Sequence, residues 1–434
     1  MSAVYIIAYT FVICPMHRNQ SVTRPTIREL PGGRRRPTGM RSSGRLLHVA
    51  VLALAVLGGI ACGPTSHSGK RGATEPTPPN RGALGSGWTR LPDPPFEGRM
   101  NPVVGFVHGR IIVTGGWNAL CPPNADCAAP SDPPLSDGGA YDLATGRWSR
   151  IADAPVGFGP VASAVIGSDL YVLVCDPGRG CPADHSMLRY RSRADAWEAI
   201  PGPGDDTQRE LMVFESRLIA YAPSDEGGEV ADHMLTPGED HWVPLPDDPL
   251  PAVYDRQLVK HDGRLLVFGS PIESDHASKL GAAFDPTTSS WTRLQGSGTL
   301  GYQVWRSGSL LYLNPHFGPG AEGGVYDPAA DAWTPLPDPP AAESWHNDMA
   351  GVLSADDATY AYPHGWALDT DAGRWIEIRP RPTILEEPTG ETVHAAGTRL
   401  VVAGGQSWSG DTGRLVDETW VWTPPRPASV THLP

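Results

Sequence analysis

Three sets of residues in this chain have types and spacings that chemistry uses. The first is a scatter of Arg, carboxylate, Trp and His in seven short stretches. These are FEGRMNP (96–102), VGFGP (156–160), DDTQREL (205–211), PAVYDRQ (251–257), LGYQVW (300–305), AAESWHND (341–348) and LEEPTGET (385–392). Arg99, Arg209, Asp255, Arg256, Trp305, Trp345, His346 and Glu391 are the members fit to hold a charged, hydrogen-bonding or stacking ligand. The second set is two close cysteine pairs, CPPNADC (Cys121, Cys127) and CDPGRGC (Cys175, Cys181). The third is three Asp-His dipeptides, Asp184-His185, Asp232-His233 and Asp275-His276.

Each set also has an ordinary structural reading. An Arg in such a stretch can pair with a neighbouring element instead of a ligand. Paired cysteines in Gly- and Pro-rich loops of an exported protein suggest disulfides, and zinc sites use shorter spacing with a matching second half. Carboxylate-imidazole clusters bind metals, but an Asp at the head of a strand also caps backbone, and these three pairs lie roughly one repeat apart. No metal and no cofactor are therefore expected. The chain has no G-x-S-x-G, H-E-x-x-H or P-loop motif, no G-x-G-x-x-G after a strand, and no S-x-D-x-G-x-x-W box. No residue is singled out as catalytic.

The elements that must position these residues are written in a repeat. YDLATGRW (141–148), YRSRADAW (190–197), LTPGEDHW (235–242), FDPTTSSW (284–291), YDPAADAW (326–333) and LDTDAGRW (368–375) share one plan. A large apolar residue is followed by a turn-like run and then by Trp seven positions on. Trp88 joins them, since its context GWTRLPDPP matches AWTPLPDPP at 332–340. The series is then Trp88, Trp148, Trp197, Trp242, Trp291, Trp333 and Trp375, spaced by 60, 49, 45, 49, 42 and 42. That period suits a four-stranded unit. Gly 50 and Pro 46 break the chain into short alternating runs, which excludes helical units. In residues 241–291 the strands read as HWVPLP, RQLVKHD, LLVFGS after a turn at Gly263-Arg264, LGAAFDP, and a return opening at Trp291. Asp285 and Pro286 set the turn inside this phrase, and the Trp of each unit is expected to pack between neighbouring sheets.

An apolar-apolar-Gly-Gly strand end (VTGG 113–116, VAGG 402–405), a YDP or FDP turn and a Trp opening the next strand resemble kelch repeats. The resemblance covers about 88–425. It implies an all-β, seven-bladed kelch-like β-propeller with four antiparallel strands per blade. The last unit has Trp422 where the first has Tyr141, but Ser429 stands seven residues beyond it. The N-terminal strand near Trp88 is thus expected to complete the last blade, removing two exposed edges. The candidate residues then fall on loops that kelch-like propellers gather around one mouth of the central channel.

The chain ahead of the repeat is of another kind. Leu46–Ile60 is an apolar run too short for a comfortable membrane span, preceded by Arg41 and Arg45 and followed by Ala61-Cys62. It resembles a bacterial lipoprotein signal, with Gly59 departing from the usual pattern, which implies lipid attachment at Cys62; an uncleaved anchor and a plain secretory cleavage site are the alternatives. The expected boundaries are an over-extended start at 1–39, signal 40–61, tether 62–86, propeller 87–425 and tail 426–434. Residues 1–61 hold eight Arg and one Glu, so 26 basic and 47 acidic residues follow them, a net charge of −21. That balance repels nucleic acid.

The expectation is a monomeric, non-catalytic module anchored by lipid outside the cytoplasmic membrane, with a protein, peptide or glycan as partner. The alternatives are a carbohydrate-acting enzyme, either a copper oxidase of the galactose-oxidase type or a sugar epimerase or lyase, and a structural envelope component. Paired exported cysteines weaken the copper case, because that chemistry needs a lone thiol beside a channel Tyr.

Overall fold

The protein is described by a computed structural model, in which the residues treated are 87–122, 133–174, 187–204, 207–228, 230–239, 241–272, 279–297, 301–307, 309–315, 324–336, 353–356, 359–362, 366–369, 374–377, 381–383, 388–397 and 399–423. The leader, Cys62, Cys127, Cys175, Cys181, Trp345, His346, Asp184-His185 and Asp275-His276 lie outside them. Trp305 and Trp375 are described by strand position alone, and their side chains lie outside the described residues.

Among the described residues there is no helix; the fold is all-β. β1 (Gly87–Arg90) comes first. Sheet one holds β2 (Val103–Val107), β3 (Arg110–Thr114), β4 (Gly138–Asp142) and β5 (Arg147–Arg150). Sheet two holds β6 (Ser163–Ile166), β7 (Asp169–Leu173), β8 (Met187–Arg191) and β9 (Ala196–Ile200). Sheet three holds β10 (Glu210–Phe214), β11 (Arg217–Tyr221), β12 (His233–Leu235) and β13 (Val243–Pro244). Sheet four holds β14 (Val253–His261), β15 (Arg264–Pro271), β16 (Leu280–Asp285) and β17 (Ser290–Leu294). Sheet five holds β18 (Gly301–Ser307), β19 (Leu310–Pro315), β20 (Gly324–Asp327) and β21 (Ala332–Pro335). Sheet six holds β22 (Leu353–Asp356), β23 (Thr359–Tyr362), β24 (Trp366–Asp369) and β25 (Arg374–Glu377). The final sheet holds β26 (Thr389–Ala396), β27 (Arg399–Ser409), β28 (Thr412–Leu415) and β29 (Thr419–Thr423).

Six sheets are four-stranded and antiparallel in chain order, and the final one has five strands, with β1 paired to β29. Trp88 stands opposite Trp422, as Tyr141 stands opposite Trp148 and Phe284 opposite Trp291. Trp375 keeps the same register on β25, opposite Leu368, the residue that opens its phrase. The fifth strand, β28, was not expected. It arises because β27 runs on past its double Gly into a hairpin. The turn read at Gly263-Arg264 lies one residue earlier: Asp262 (φ 43°) and Gly263 (φ 71°) are its central pair, and Arg264 already pairs with His261. Two successive left-handed residues make the hairpin turn that matches strand twist.

The six-fold phrase has a physical cause. Where its second residue is Asp, that Asp closes the turn: Asp142 Oδ1 accepts the N–H groups of Ala144 and Thr145, and Asp285 Oδ1 that of Thr287. The position two before the Trp is left-handed in every described copy, at Gly146, Asp195, Ser289 and Asp331. The Trp then reaches back to the preceding sheet. Trp148 Nε1 donates to Pro92 O, Trp197 to Ala152 O, Trp242 to Pro201 O, Trp291 to Pro246 O and Trp333 to Gln295 O, at 2.7–3.0 Å. Each acceptor lies four residues beyond the previous Trp. The ring of Trp333 also packs on Tyr326 of its own sheet and edge-on against Phe268 of sheet four. One indole therefore ties adjacent sheets by both area and a hydrogen bond. The packing expected of Trp375 falls outside the described residues, so the tie is seen for five of the six phrase tryptophans.

The two surviving double-Gly ends press on the same segment. A Cβ at Gly116 would lie 2.6 Å from Met100 O, and one at Gly404 would lie 2.5 Å from Arg99 O. Residues 99–102 are thus held between sheet one and the final sheet. Apolar residues fill every boundary described: Val104, Ile111 and Val113 with Ala396, Val401 and Ala403 between sheet one and the final sheet, and Met212 and Phe214 with Leu258 and Val267 between sheets three and four.

Candidate functional site

The candidate stretches lie where the chain leaves one sheet and enters the first strand of the next. Several of their residues are on strands instead of loops. Asp255 and Arg256 belong to β14, Trp305 to β18 and Glu391 to β26. The strands extend further than the sequence suggests because they are irregular there. Register shifts between Tyr254 and Gln257 and between Gly301 and Val304, and Asp255 sits at φ 50°.

Three of the arginines are buried. Arg99, Arg209 and Arg256 are 1%, 3% and 2% exposed. Arg99 donates to Gly115 O and Asp137 O and pairs with the Asp137 carboxylate at 3.0 Å. Its own N–H and C=O bond Val416 and Gly405 of the final sheet, so this residue joins the two ends of the fold. Arg209 donates to Ala231 O and lies 3.7 Å from Asp232. Arg256 reaches back from sheet four to Ala222 O and to both oxygens of Asp232 in sheet three, and on to Asp248 at 2.7 Å. Burial pulls its pKa down, but Asp232 and Asp248 together hold it above the ordinary arginine value.

Asp232 is therefore a shared anchor. Besides the two arginines it accepts the N–H of Ala222, which is the capping role that an Asp at the head of a strand suggests. Asp137 occupies the same place before β4, and Lys279 before β16. Lys279 is 1% exposed and donates from Nζ to Asp255 O at 2.8 Å. Burial pushes its pKa down to about 8, against the pull of the Asp255 carboxylate. Glu391 takes both guanidinium nitrogens of Arg381, at 2.8 and 2.7 Å, and Arg381 in turn stands over the ring of Trp88.

The candidate residues thus do not converge on one group. Arg209 and Arg256 meet at Asp232. Arg99 and Glu391 flank the join between sheet one and the final sheet, and Asp255 meets Lys279. Sequence reading missed Asp137, Asp232, Asp248, Lys279 and Arg381 as partners; the one available signal was the recurrence of a polar residue just ahead of each third strand. Cys121 is the described member of the cysteine pairs. Its N–H and C=O are both held by the Gln406 side chain of the final sheet, at 2.8 and 2.7 Å. A small cavity opens between the first strands of three sheets, lined by Val103, Ser163 and Thr392 among others.

Among the described residues no group of three His, Cys, Asp or Glu side chains is arranged to hold a metal. Compared with protein-family models and with characterised proteins, the sequence matches none.

Proposed function

We propose that the sheets are the blades of a seven-bladed, kelch-like β-propeller closed by β1, and that the protein is a non-catalytic binding module. It is exported, carries lipid on Cys62, and presents one loop face to a protein, peptide or glycan. The observation that carries this reading is the use made of the charged side chains. Arg99, Arg209, Arg256 and Glu391 are engaged by carboxylates, guanidinium groups or carbonyls of their own or adjoining sheets. They act as struts, so the frame is rigid and recognition falls to the unrepeated loops above it.

Support for a closed ring comes from the sheet boundaries. The first strands of sheets one and two contact each other, as do those of sheets two and three, four and five, five and six, and six and the final sheet, and β2 contacts β26. Sheets three and four share one core cluster. Disulfides within the two cysteine pairs would staple the long loops of sheets one and two.

The test is binding of the purified full chain to arrayed glycans and to peptides of cell-envelope proteins, with metal analysis of the same sample. Saturable binding that survives Arg256→Lys but is lost when loop 118–135 is shortened supports the reading. Stoichiometric copper with oxidation of a sugar would overturn it.

A further inference from the structure

At the join between the final sheet and sheet one, one position differs in kind from its counterparts in sheets one to four. In the first strands of sheets one to four, the residue two before the strand end faces the next sheet. Gly105, Ala164, Met212 and Val259 fill that place in sheets one to four, and all are apolar or lack a side chain. In the final sheet it is His394. Its facing direction follows from alternation along β26. Thr392, two residues before, donates to Pro102 O at 2.6 Å, and Ala396, two after, packs with Val104 and Ile111. Val393 and Ala395 point the other way, toward Trp420 and Trp422.

His394 is 8% exposed, and its Nδ1 is buried without a hydrogen-bond partner. The elements against it are apolar. β2 brings Val104 and Phe106, β3 brings Ile111 and Val113, and β27 places Val401 opposite it. The one charged side chain on this face, among the described residues, is Arg399, across from Ala396, and it repels an imidazolium. On β26 itself Glu391 is already paired with Arg381. An unpartnered polar atom in such a place calls for an explanation. Packing alone favours an apolar side chain, as at Met212 and Val259.

We propose that His394 makes the join between β26 and β2 an acid-sensitive latch: closed while the imidazole is neutral, and opened when a proton is taken up. Opening frees the ring where β1 and the chain ahead of it are attached, and disturbs the Gln406–Cys121 contact that ties the loop of sheet one to the final sheet. Gly105, Ala164, Met212 and Val259, the counterparts in sheets one to four, have no group that titrates.

Burial lowers the histidine from 6.5 to about 4. A lowered His pKa leaves the closed join unaffected above pH 6.5 and weakens it progressively as pH falls toward 4. At pH 5 the open form gains on the order of twentyfold relative to pH 7, from those two values.

The test is amide hydrogen exchange on the full chain at pH 7 and pH 5, corrected for intrinsic rates. The expected result is a protection loss of about tenfold or more in β26 and β2, with β7 to β9 unchanged, and no such loss in His394→Leu. His394→Gln, polar but unable to take a proton, replaces the Leu variant if the latter does not fold. The inference is overturned if β26 and β2 lose protection no more than the other strands, or if the loss persists in a folded variant. It is equally overturned if the His394 resonance of the wild type titrates at or above pH 6.5.

Discussion

Asp195 and Trp197 grip one residue from both sides. Asp195 Oδ1 accepts the N–H of Ala152, and Trp197 Nε1 donates to its C=O, both within 2.9 Å. Asp331 and Trp333 hold Gln295 in the same way. In both cases a Tyr, 190 or 326, bonds the Asp from behind. Where the gripped residue is Pro92 or Pro246, which have no N–H to offer, the Asp is replaced by Gly146 or Ser289. By sequence, the phrase of Trp375 follows the same rule, with Gly373 in that place and Pro337 upstream. The phrase of Trp242 departs from it, since Asp240 is kept although Pro201 has no N–H. In five of six copies, then, the phrase varies with a residue 36 to 54 positions upstream. Asp195→Ala leaves the Ala152 N–H without its acceptor and costs about 1–3 kcal/mol, while Trp197→Phe costs about 1 kcal/mol from the lost hydrogen bond. Gly146→Asp gains nothing, since Pro92 cannot donate. Urea unfolding of the three variants checks all of this, and a stabilised Gly146→Asp would undo it.

Arg256 behaves as a strut and not as a ligand contact. Arg256→Ala strands the Asp248 carboxylate, leaves buried Asp232 with Arg209 alone as its cation, and destabilises by about 3–5 kcal/mol. Replacing Arg256 with Met and Asp248 with Asn, which leaves Asp232 to Arg209 and the Ala222 N–H, recovers most of that loss. Denaturant midpoints decide the matter; a single Ala variant as stable as wild type contradicts the assignment.

Glu210 gives the fold an opposite pH trend from His394. Burial raises its carboxyl from 4.5 to about 7. The penalty for burying its charge is absent below pH 4.5 and grows as pH rises to 7. Glu210→Gln therefore stabilises at about pH 8 by about 1–2 kcal/mol, allowing for its partly exposed edge, and has no effect at about pH 4. Thermal melts at the two pH values measure the difference, and an equal gain at both would exclude it.

If the cysteine pairs 121–127 and 175–181 are closed, the unfolded, unreduced chain shows no free thiol at these four positions. Titration of the denatured protein with a thiol reagent, in a variant with Cys14 and Cys62 changed to Ser, reads this directly. Four reactive thiols would refute the staples.

Strand content, repeat period and the pairing of β1 with the last unit were legible because each is encoded locally. Alternation, turn residues and the seven-residue step from phrase opening to Trp act over short stretches, and Trp422 without a following Trp marked the strand that was wanting. The charge network was not legible in that way. Asp232 serves Arg209 and Arg256, 23 and 24 residues away, and their meeting depends on how adjacent sheets stack, which no local pattern states. The same limit hid the bulge at Asp255, which moved two candidates from loop to strand. It also hid His394, because alternation shows which way its side chain points but not what stands opposite.

The register of β1 on β29 has a mechanical consequence. Gly87 faces Thr423 and Arg90 faces Trp420, so the N-terminal end of β1 and the C-terminal end of β29 lie side by side. Tension between the two ends peels the backbone pairs apart one at a time, starting at Gly87. Tension between the N-terminal side and a load on the loops travels through the sheet and strains all four pairs together in shear. The strand yields easily to the first pull and resists the second.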